Sequence, residues 1–147
     1  MATAQEFTAI ASSMRGSGVQ TGFHCHDQDM KPLSGGDSAW NILASHTPQD
    51  FVMQYDTGNG VVGGADPVQP ILQFPGRSGS VHLKEAAGPG APAITNTGQV
   101  PWAQVFQACE SVGGTTWYVV EAEIYGDFTS MEVVKKCFDA LQLLGKV

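Results

Sequence analysis

The chain has 147 residues, of which 42% are hydrophobic and 14% are charged, so a single packed domain over residues 1–147 is expected and bulk disorder is excluded. Its net charge of −7 argues against nucleic acid or an anionic membrane as a partner, because neither gains from meeting an acidic surface. No stretch is apolar enough to span a membrane, and the first residues lack a signal-peptide pattern. Three scattered cysteines argue against a disulfide framework and favour a reducing, cytoplasmic location.

The first third of the chain predicts a helix, a strand and a short helix. Residues 3–15 have an apolar stripe at helical spacing, and Thr3 with Glu6 has the pattern of a capping box. Residues 19–27 alternate as a strand does. A loop rich in Gly, Pro and Ser separates this strand from a short helix at about 39–45.

The middle of the chain continues the alternation. Residues 51–56 predict a second strand. The pair Asp66 and Pro67 predicts a helix start, with the carboxylate as N-cap and proline at the first helical position. Residues 80–84 predict a short third strand. The loop over 86–100 is long enough to indicate an active-site lid or a partner contact.

The last third adds a helix, a strand and a final helix. Pro101 opens the first of these helices, and residues 115–123 predict the fourth strand. Thr129 with Glu132 forms a second capping-box pattern at the start of the last helix. Strands joined by helical crossovers pair in parallel, so the order is α-βα-βα-βα-βα. Both an open parallel sheet and a segment of a barrel fit this order.

Each predicted strand ends with metal-binding or charged side chains on one face. In strand order, these are His24 and His26, Asp56, His82 and Lys84, and Glu121 and Glu123. Sites in parallel α/β folds are built at this end of the sheet. The predicted metal ligands, one from each strand, are His26, Asp56, His82 and Glu121. Such a mixture of nitrogen and oxygen suits Mn²⁺, Co²⁺, Zn²⁺ or Fe²⁺ better than Ca²⁺, and Mg²⁺ also stays open.

Some of these residues also have a purely structural interpretation. A lone strand histidine is more often a hydrogen-bonded core residue than a ligand, which is the alternative for His24. Lys84 fits either an ion pair with Glu85 or Glu123 or a contact with substrate. Cys25 is expected to face the helices, so the run from His24 to His26 is not a three-ligand zinc motif.

Four short stretches resemble the sugar phosphate isomerase/epimerase family, whose fold is a xylose isomerase-like (β/α)₈ barrel. Residues 22–27 (GFHCHD) are similar to the family's Gly-Tyr-His-Asn-His-Asp. The other three stretches are 55–59 (YDTGN), 81–85 (VHLKE) and 117–121 (WYVVE). Their order and spacing extend the resemblance over essentially the whole chain. It implies an α/β fold with strands five to eight of the barrel, which is half of a (β/α)₈ TIM barrel.

The resemblance also implies a metal-dependent reaction that passes through the enediolate of a sugar or keto-sugar. Glu121 would be the base, Lys84 would neutralise charge on oxygen, and His24 would relay a proton. The sugar pocket would be lined by Asn59, Trp117 and Glu123. The epimerase branch commonly has Glu as its first metal ligand, where this chain has His26, so two-base epimerisation is disfavoured.

The missing strands imply either that the chain is a fragment or that two chains complete one barrel, because four parallel strands alone leave two edges and an open interior. A two-fold homodimer would close eight strands, and the clean start and end of the outer helices favour it. Three functions remain open: an aldose–ketose isomerase, a 3-keto-glycoside lyase with the same metal site, and a non-catalytic metal-binding subunit. The first two act on small sugars.

Overall fold

The structure is a computed structural model that describes residues 2–86, 94–95, 97–123 and 126–147. Its centre is a four-stranded sheet in the order β1-β2-β3-β4, in which all neighbouring strands are parallel. The strands are β1 (Gly22–His24), β2 (Val52–Asp56), β3 (Ser80–Leu83) and β4 (Trp117–Val120). Sequential parallel neighbours need crossover connections, which confirms the predicted parallel α/β fold.

The helices include the five that the sequence predicted, in the same chain order, and two short ones, after β1 and β2, that it did not predict. From α1 to α7, they are Ala2–Met14, Asp27–Met30, Ala39–His46, Thr57–Val62, Gln69–Gln73, Trp102–Ala108 and Ser130–Leu143. A π-helical turn, Cys109–Gly113, continues α6 and ends at Gly114 in the left-handed conformation. No helix within the described ranges is both long enough and apolar enough to cross a membrane.

The predicted strand lengths hold for the inner strands and are wrong for the outer ones. Strands predicted at 51–56 and 80–84 each differ from the observed strand by one residue. The strands predicted at 19–27 and 115–123 shrink to three and four residues. Both are edge strands that pair on one side only, so the ladder ends where the single neighbour ends.

Two of the three predicted helix starts form the hydrogen bonds that were expected. At α7, Thr129 Oγ1 accepts from the Glu132 N–H at 3.3 Å, and Glu132 Oε2 accepts from the Thr129 N–H at 2.7 Å. Asp66 Oδ1 accepts from the N–H groups of Val68 and Gln69 at 2.8 and 3.0 Å. However, α5 begins at Gln69 with Val68 as its N-cap, so the N-cap predicted at Asp66 and the first helical position predicted at Pro67 are wrong. The capping box predicted at Thr3 is wrong, because α1 begins at Ala2 and Thr3 lies within its first turn.

The core lies between the sheet and the helices. On the inner strands, the side chains that point outward, toward the helices, are fully buried: Met53, Tyr55, Val81 and Leu83. Within the described part of the chain, no helix covers the opposite face of the sheet, and Trp117 on that face is 71% exposed. This open face corresponds to the interior of a complete barrel. The carboxyl ends of all four strands lie along one edge of it.

Candidate metal-binding site

One residue from each strand converges at the carboxyl end of the sheet. His24 and Asp56 are the last residues of β1 and β2, His82 lies in β3, and Glu121 directly follows β4. Each residue offers one ligand atom, and these four atoms all lie within 4.8 Å of one another. We call these four residues the metal group. Two imidazoles and two carboxylates form the mixed donor set that the sequence predicted for a divalent cation.

His24 occupies the place in this group that was predicted for His26. The two histidines point to the same face, two residues apart, and their rings are 5.0 Å apart. His26 is exposed and precedes α2 as its N-cap, where its N–H donates to Asp29 Oδ2 at 2.8 Å. Successive strands of a barrel are staggered, so the ligands are not at equal distances from the strand ends. That stagger brings the earlier histidine level with the other three residues.

Asp56 is the most buried member of the metal group. It is fully buried, and its Oδ1 accepts from the Asn59 N–H at 2.7 Å as the N-cap of α4. Its Oδ2 is also buried and has no hydrogen-bond partner in the described part of the chain. Burial raises the pKa of Asp56 to about 6. A buried carboxylate oxygen without a partner is costly, and a cation would satisfy it.

His24 has the same unsatisfied character. Its Nδ1 is buried and has no partner among the described residues. Burial lowers the pKa of His24, and the neighbouring His82, whose ring centroid is 4.4 Å away, lowers that pKa further. A neutral imidazole is the form that binds metal. Two unpartnered polar atoms within the metal group therefore fit a cation-binding site better than a simple core.

Lys84 and Glu121 form a charged pair beside the metal group. Lys84 Nζ donates to Glu121 Oε1 at 2.9 Å and also contacts Glu123, while His82 Nδ1 contacts Glu121 Oε2. Burial alone would raise the pKa of Glu121, but the hydrogen bonds from Lys84 and His82 outweigh it and hold that pKa below its usual value. The ion-pair alternative for Lys84 is thus realised with Glu121 and Glu123, not with Glu85.

Lys84 is held in place by Thr57, a residue that the sequence analysis did not single out. Thr57 is fully buried; its Oγ1 donates to the Lys84 carbonyl at 2.6 Å and accepts from the Lys84 N–H at 3.0 Å. A Cβ on Gly58 would lie 2.7 Å from Lys84 Cγ, so glycine is needed there. The only sequence signal was the position of both residues directly after Asp56.

Glu85 has a structural role that the sequence also did not reveal. Its Oε1 accepts from the N–H groups of Ala86, Gln99 and Val100 at 2.8, 3.0 and 3.2 Å, and its Oε2 accepts from Trp102 Nε1 at 3.1 Å. It therefore fastens the segment that leads into α6 to the end of β3. The lid predicted over 86–100 lies largely outside the described residues.

The three predicted sugar-binding residues are dispersed. Glu123 is next to Lys84 and is largely exposed. The Asn59 amide donates to the Cys25 carbonyl at 3.1 Å and so joins the end of β1 to α4. Trp117 begins β4, four residues before Glu121, which is about 13 Å along an extended strand. Of the three side chains, that of Glu123 therefore contacts Lys84, the lysine beside the metal group, whereas Asn59 contacts the metal group through its backbone N–H.

The known proteins most informative for this chain are solved structures. No protein-family model and no curated protein matches the sequence. The fold matches a crystal structure of a sugar phosphate isomerase/epimerase from Parabacteroides distasonis ATCC 8503, with a TM-score of 0.82 and 22% identity over 95% of this chain and 50% of that chain. A second sugar phosphate isomerase/epimerase structure from the same organism matches with a TM-score of 0.76, 22% identity, and 95% and 52% coverage.

These matches confirm the predicted resemblance at the level of the fold. The chain is an α/β half of a TIM barrel of the kind found in sugar phosphate isomerase/epimerase structures. It spans about half the length of both structures that it matches.

Proposed function

We propose that this half-barrel binds a divalent cation and takes part in isomerising a sugar or keto-sugar. The observation that carries the proposal is the metal group, with its four ligand atoms within 4.8 Å of one another and two of its buried polar atoms unsatisfied. The matched structures, described as sugar phosphate isomerase/epimerases, supply the class of substrate.

The metal group fits a cation by charge as well as by donor type. Two carboxylates, Asp56 and Glu121, bring formal charge to a partly buried place. Lys84 pairs with Glu121, and His82 Nδ1 lies 3.9 Å from Asp56 Oδ2. A bound Mn²⁺, Co²⁺, Zn²⁺, Fe²⁺ or Mg²⁺ would supply Lewis-acid polarisation of a substrate carbonyl. Our proposed ligands are His24, Asp56, His82 and Glu121.

The residues around the metal group suit proton transfer next to a carbonyl. We assign Glu121 as the group that takes the proton from the carbon, since its carboxylate faces the open side of the sheet. Lys84, which is hydrogen-bonded to Glu121, would stabilise negative charge on the substrate oxygen. Glu123 would accept a hydrogen bond from a sugar hydroxyl. Trp117 would line the barrel interior below, and Asn59 would position the turn after β2.

The arginines favour a substrate without a phosphate group. The chain has two, and both lie at the amino end of the strands, opposite the metal group. Arg15 pairs with Asp50 at 2.7 Å, and Arg77 is buried against the Phe51 carbonyl that precedes β2. Neither guanidinium is placed to bind a phosphate at the carboxyl end of the sheet.

Metal analysis with two histidine variants tests the site. We expect the purified chain to hold a stoichiometric transition metal, and His82→Ala to lose it. His46→Ala is the matched control, because His46 is exposed and its ring bonds only to its own helix, at Ile42. Equal metal content in both variants would contradict the proposal.

Product analysis then tests the reaction. The metal-loaded protein, incubated with unphosphorylated ketoses in D₂O, should introduce deuterium next to the carbonyl and conserve the mass of the sugar skeleton. A 3-keto-glycoside split into two products would show elimination instead of isomerisation. Metal binding without deuterium exchange in a complete assembly would point to a non-catalytic subunit.

A further inference from the structure

The two outer edges of the sheet are complementary to each other. Among the described strands, β1 and β4 each pair on one side only, so both expose a row of backbone N–H and C=O groups. We propose that a second copy of this chain closes the barrel, with β4 of each copy paired in parallel with β1 of the other, in a register that the structure specifies. This deepens the proposed function, because it names the partner that completes the half-barrel.

We call the proposed junction between β4 of one copy and β1 of the other the seam. The helix-covered side of the seam supports a second copy there. In a complete barrel each helix covers two adjacent strands, whereas α7 has only β4 to cover. An open apolar groove of about 440 Å³ lies between β4 and α7, with Val120, Val133 and Phe138 among its lining residues. Phe138 is 51% exposed. The groove is therefore shaped for apolar side chains from a further strand next to β4.

The β1 edge carries matching apolar side chains. Phe23 points to the helix side of β1, is half-buried, and contacts the Phe7 ring of α1 at 6.0 Å between centroids. Ile10 on α1 is 50% exposed. A two-fold axis that coincides with the barrel axis keeps every strand parallel. It also places the β1 edge of one copy against the apolar groove of the other.

The stagger of the barrel determines the register at the seam. Within one chain, His24 lies beside Gln54. The β2–β3 pairing, extended from Asp56 beside His82, places Gln54 beside Ser80. Ser80 in turn lies beside Trp117. A shear of about eight residues around eight strands assigns about four to each symmetric half. His24 of the second copy should therefore lie not beside Trp117 but four residues further along β4, beside Glu121. This agrees with the metal group, which holds His24 and Glu121 of one chain level with each other.

The same register makes two further pairs between the copies. Phe23 of one copy falls beside Val120 of the other, and Val120 lines the apolar groove. His26 falls beside Glu123 of the other copy. Both of these exposed residues lie outside the metal group, so the mouth of the closed barrel would contain side chains from both copies.

Native mass spectrometry with metal analysis on the same sample tests the closure. The full chain should have twice its 15.5 kDa mass. Phe138→Asp should shift it to monomer by placing a charge in the groove. Leu143→Asp, an equally polar change at an exposed residue of α7 outside the groove, should remain dimeric. A wild-type monomer with native circular dichroism overturns the proposal.

Cysteine pairs test the register. Gln20 lies beside Trp117 in the predicted seam, so Trp117→Cys combined with Gln20→Cys should give a covalent dimer on mild oxidation. Within one chain the two residues are three strand spacings apart sideways, about 14 Å, and are offset by about 13 Å along the strands, too far for a disulfide. The native cysteines are buried and free.

A second cysteine pair serves as the control, and each negative result has its own meaning. Trp117→Cys with Val19→Cys should not cross-link, because Val19 lines a cavity beside α1, whereas Gln20 also lines the cavity on the open face with His24 and Gln54. A dimer that cross-links only in this control has a different register and overturns the one proposed. A monomer that still binds metal refutes the seam and leaves the metal site intact, whereas a cross-linked dimer without metal does the reverse.

Discussion

Arg77 and Asp56 are both charged side chains with almost no exposure, but they lie at opposite ends of β2 and differ in how they are satisfied. The Arg77 guanidinium donates to the carbonyls of Phe51 and Ala44 at 3.0 and 2.7 Å and to Thr47 Oγ1 at 2.8 Å. Asp56 uses one oxygen as a helix cap and leaves the other unpaired.

This difference separates a structural charge from a functional one. A buried polar group with a complete set of partners stabilises the fold, whereas one left incomplete lowers stability unless a ligand completes it. At the amino end of the sheet, the hydrogen bonds of Arg77 therefore join α3 to the start of β2. We call this set of bonds the clasp. At the carboxyl end, the unpaired Asp56 oxygen lowers the stability of the fold, and a bound cation would offset that loss.

Removing the clasp should have the largest effect on stability. Arg77→Met would leave two buried carbonyls unpaired, and we expect a loss of about 3 kcal/mol in the free energy of unfolding. Denaturant titration measures it. Arg15→Met, which breaks only an exposed pair with Asp50, should cost less than about 1 kcal/mol. Equal losses would mean that the Arg77 bonds do not form the clasp.

Neutralising Asp56 should separate metal binding from folding. Asp56→Asn keeps an oxygen to cap α4 and removes a buried charge, so the metal-free protein should keep its stability. Co²⁺ affinity, followed by visible absorption, should fall at least about 100-fold. Asp66→Asn alters a similar helix-start carboxylate away from the metal group and should leave Co²⁺ affinity unchanged. Equal effects in both variants would rule out Asp56 as a ligand.

The two histidines of β1 should differ in the same assay. We expect His24→Ala to lower Co²⁺ affinity about 100-fold, because it removes one of four ligands. His26→Ala should change that affinity by less than about threefold, since His26 lies outside the metal group. The reverse order would restore the sequence-based prediction of His26 as the ligand.

Loosening Glu85 should have the smallest effect. Glu85→Gln keeps the shape and weakens the charge-assisted bonds to the segment before α6, at a cost of about 1 kcal/mol. Hydrogen exchange of the Gln99 and Val100 amides should accelerate, while exchange in β2 stays unchanged. Unchanged exchange at both amides would show that Glu85 does not hold this segment.

Local chemistry made much of the fold readable from the sequence. Thr129 with Glu132 marked the start of α7 because a capping box needs only four consecutive residues. The inner strands were located to within one residue, since their apolar runs are bounded on both sides by turn residues. The edge strands were predicted too long, because their length depends on neighbours that are remote in sequence.

The residues of the candidate site also divide into those that the sequence identified and those that required the structure. The sequence by itself determined which residue types end the strands, and so placed Asp56, His82 and Glu121 on one face by simple alternation. Only the tertiary structure decided between His24 and His26, because the stagger between strands is a property of the assembled sheet. It also decided the partners of Lys84, Glu85 and Arg77, since long side chains choose among groups that approach only when distant segments pack together.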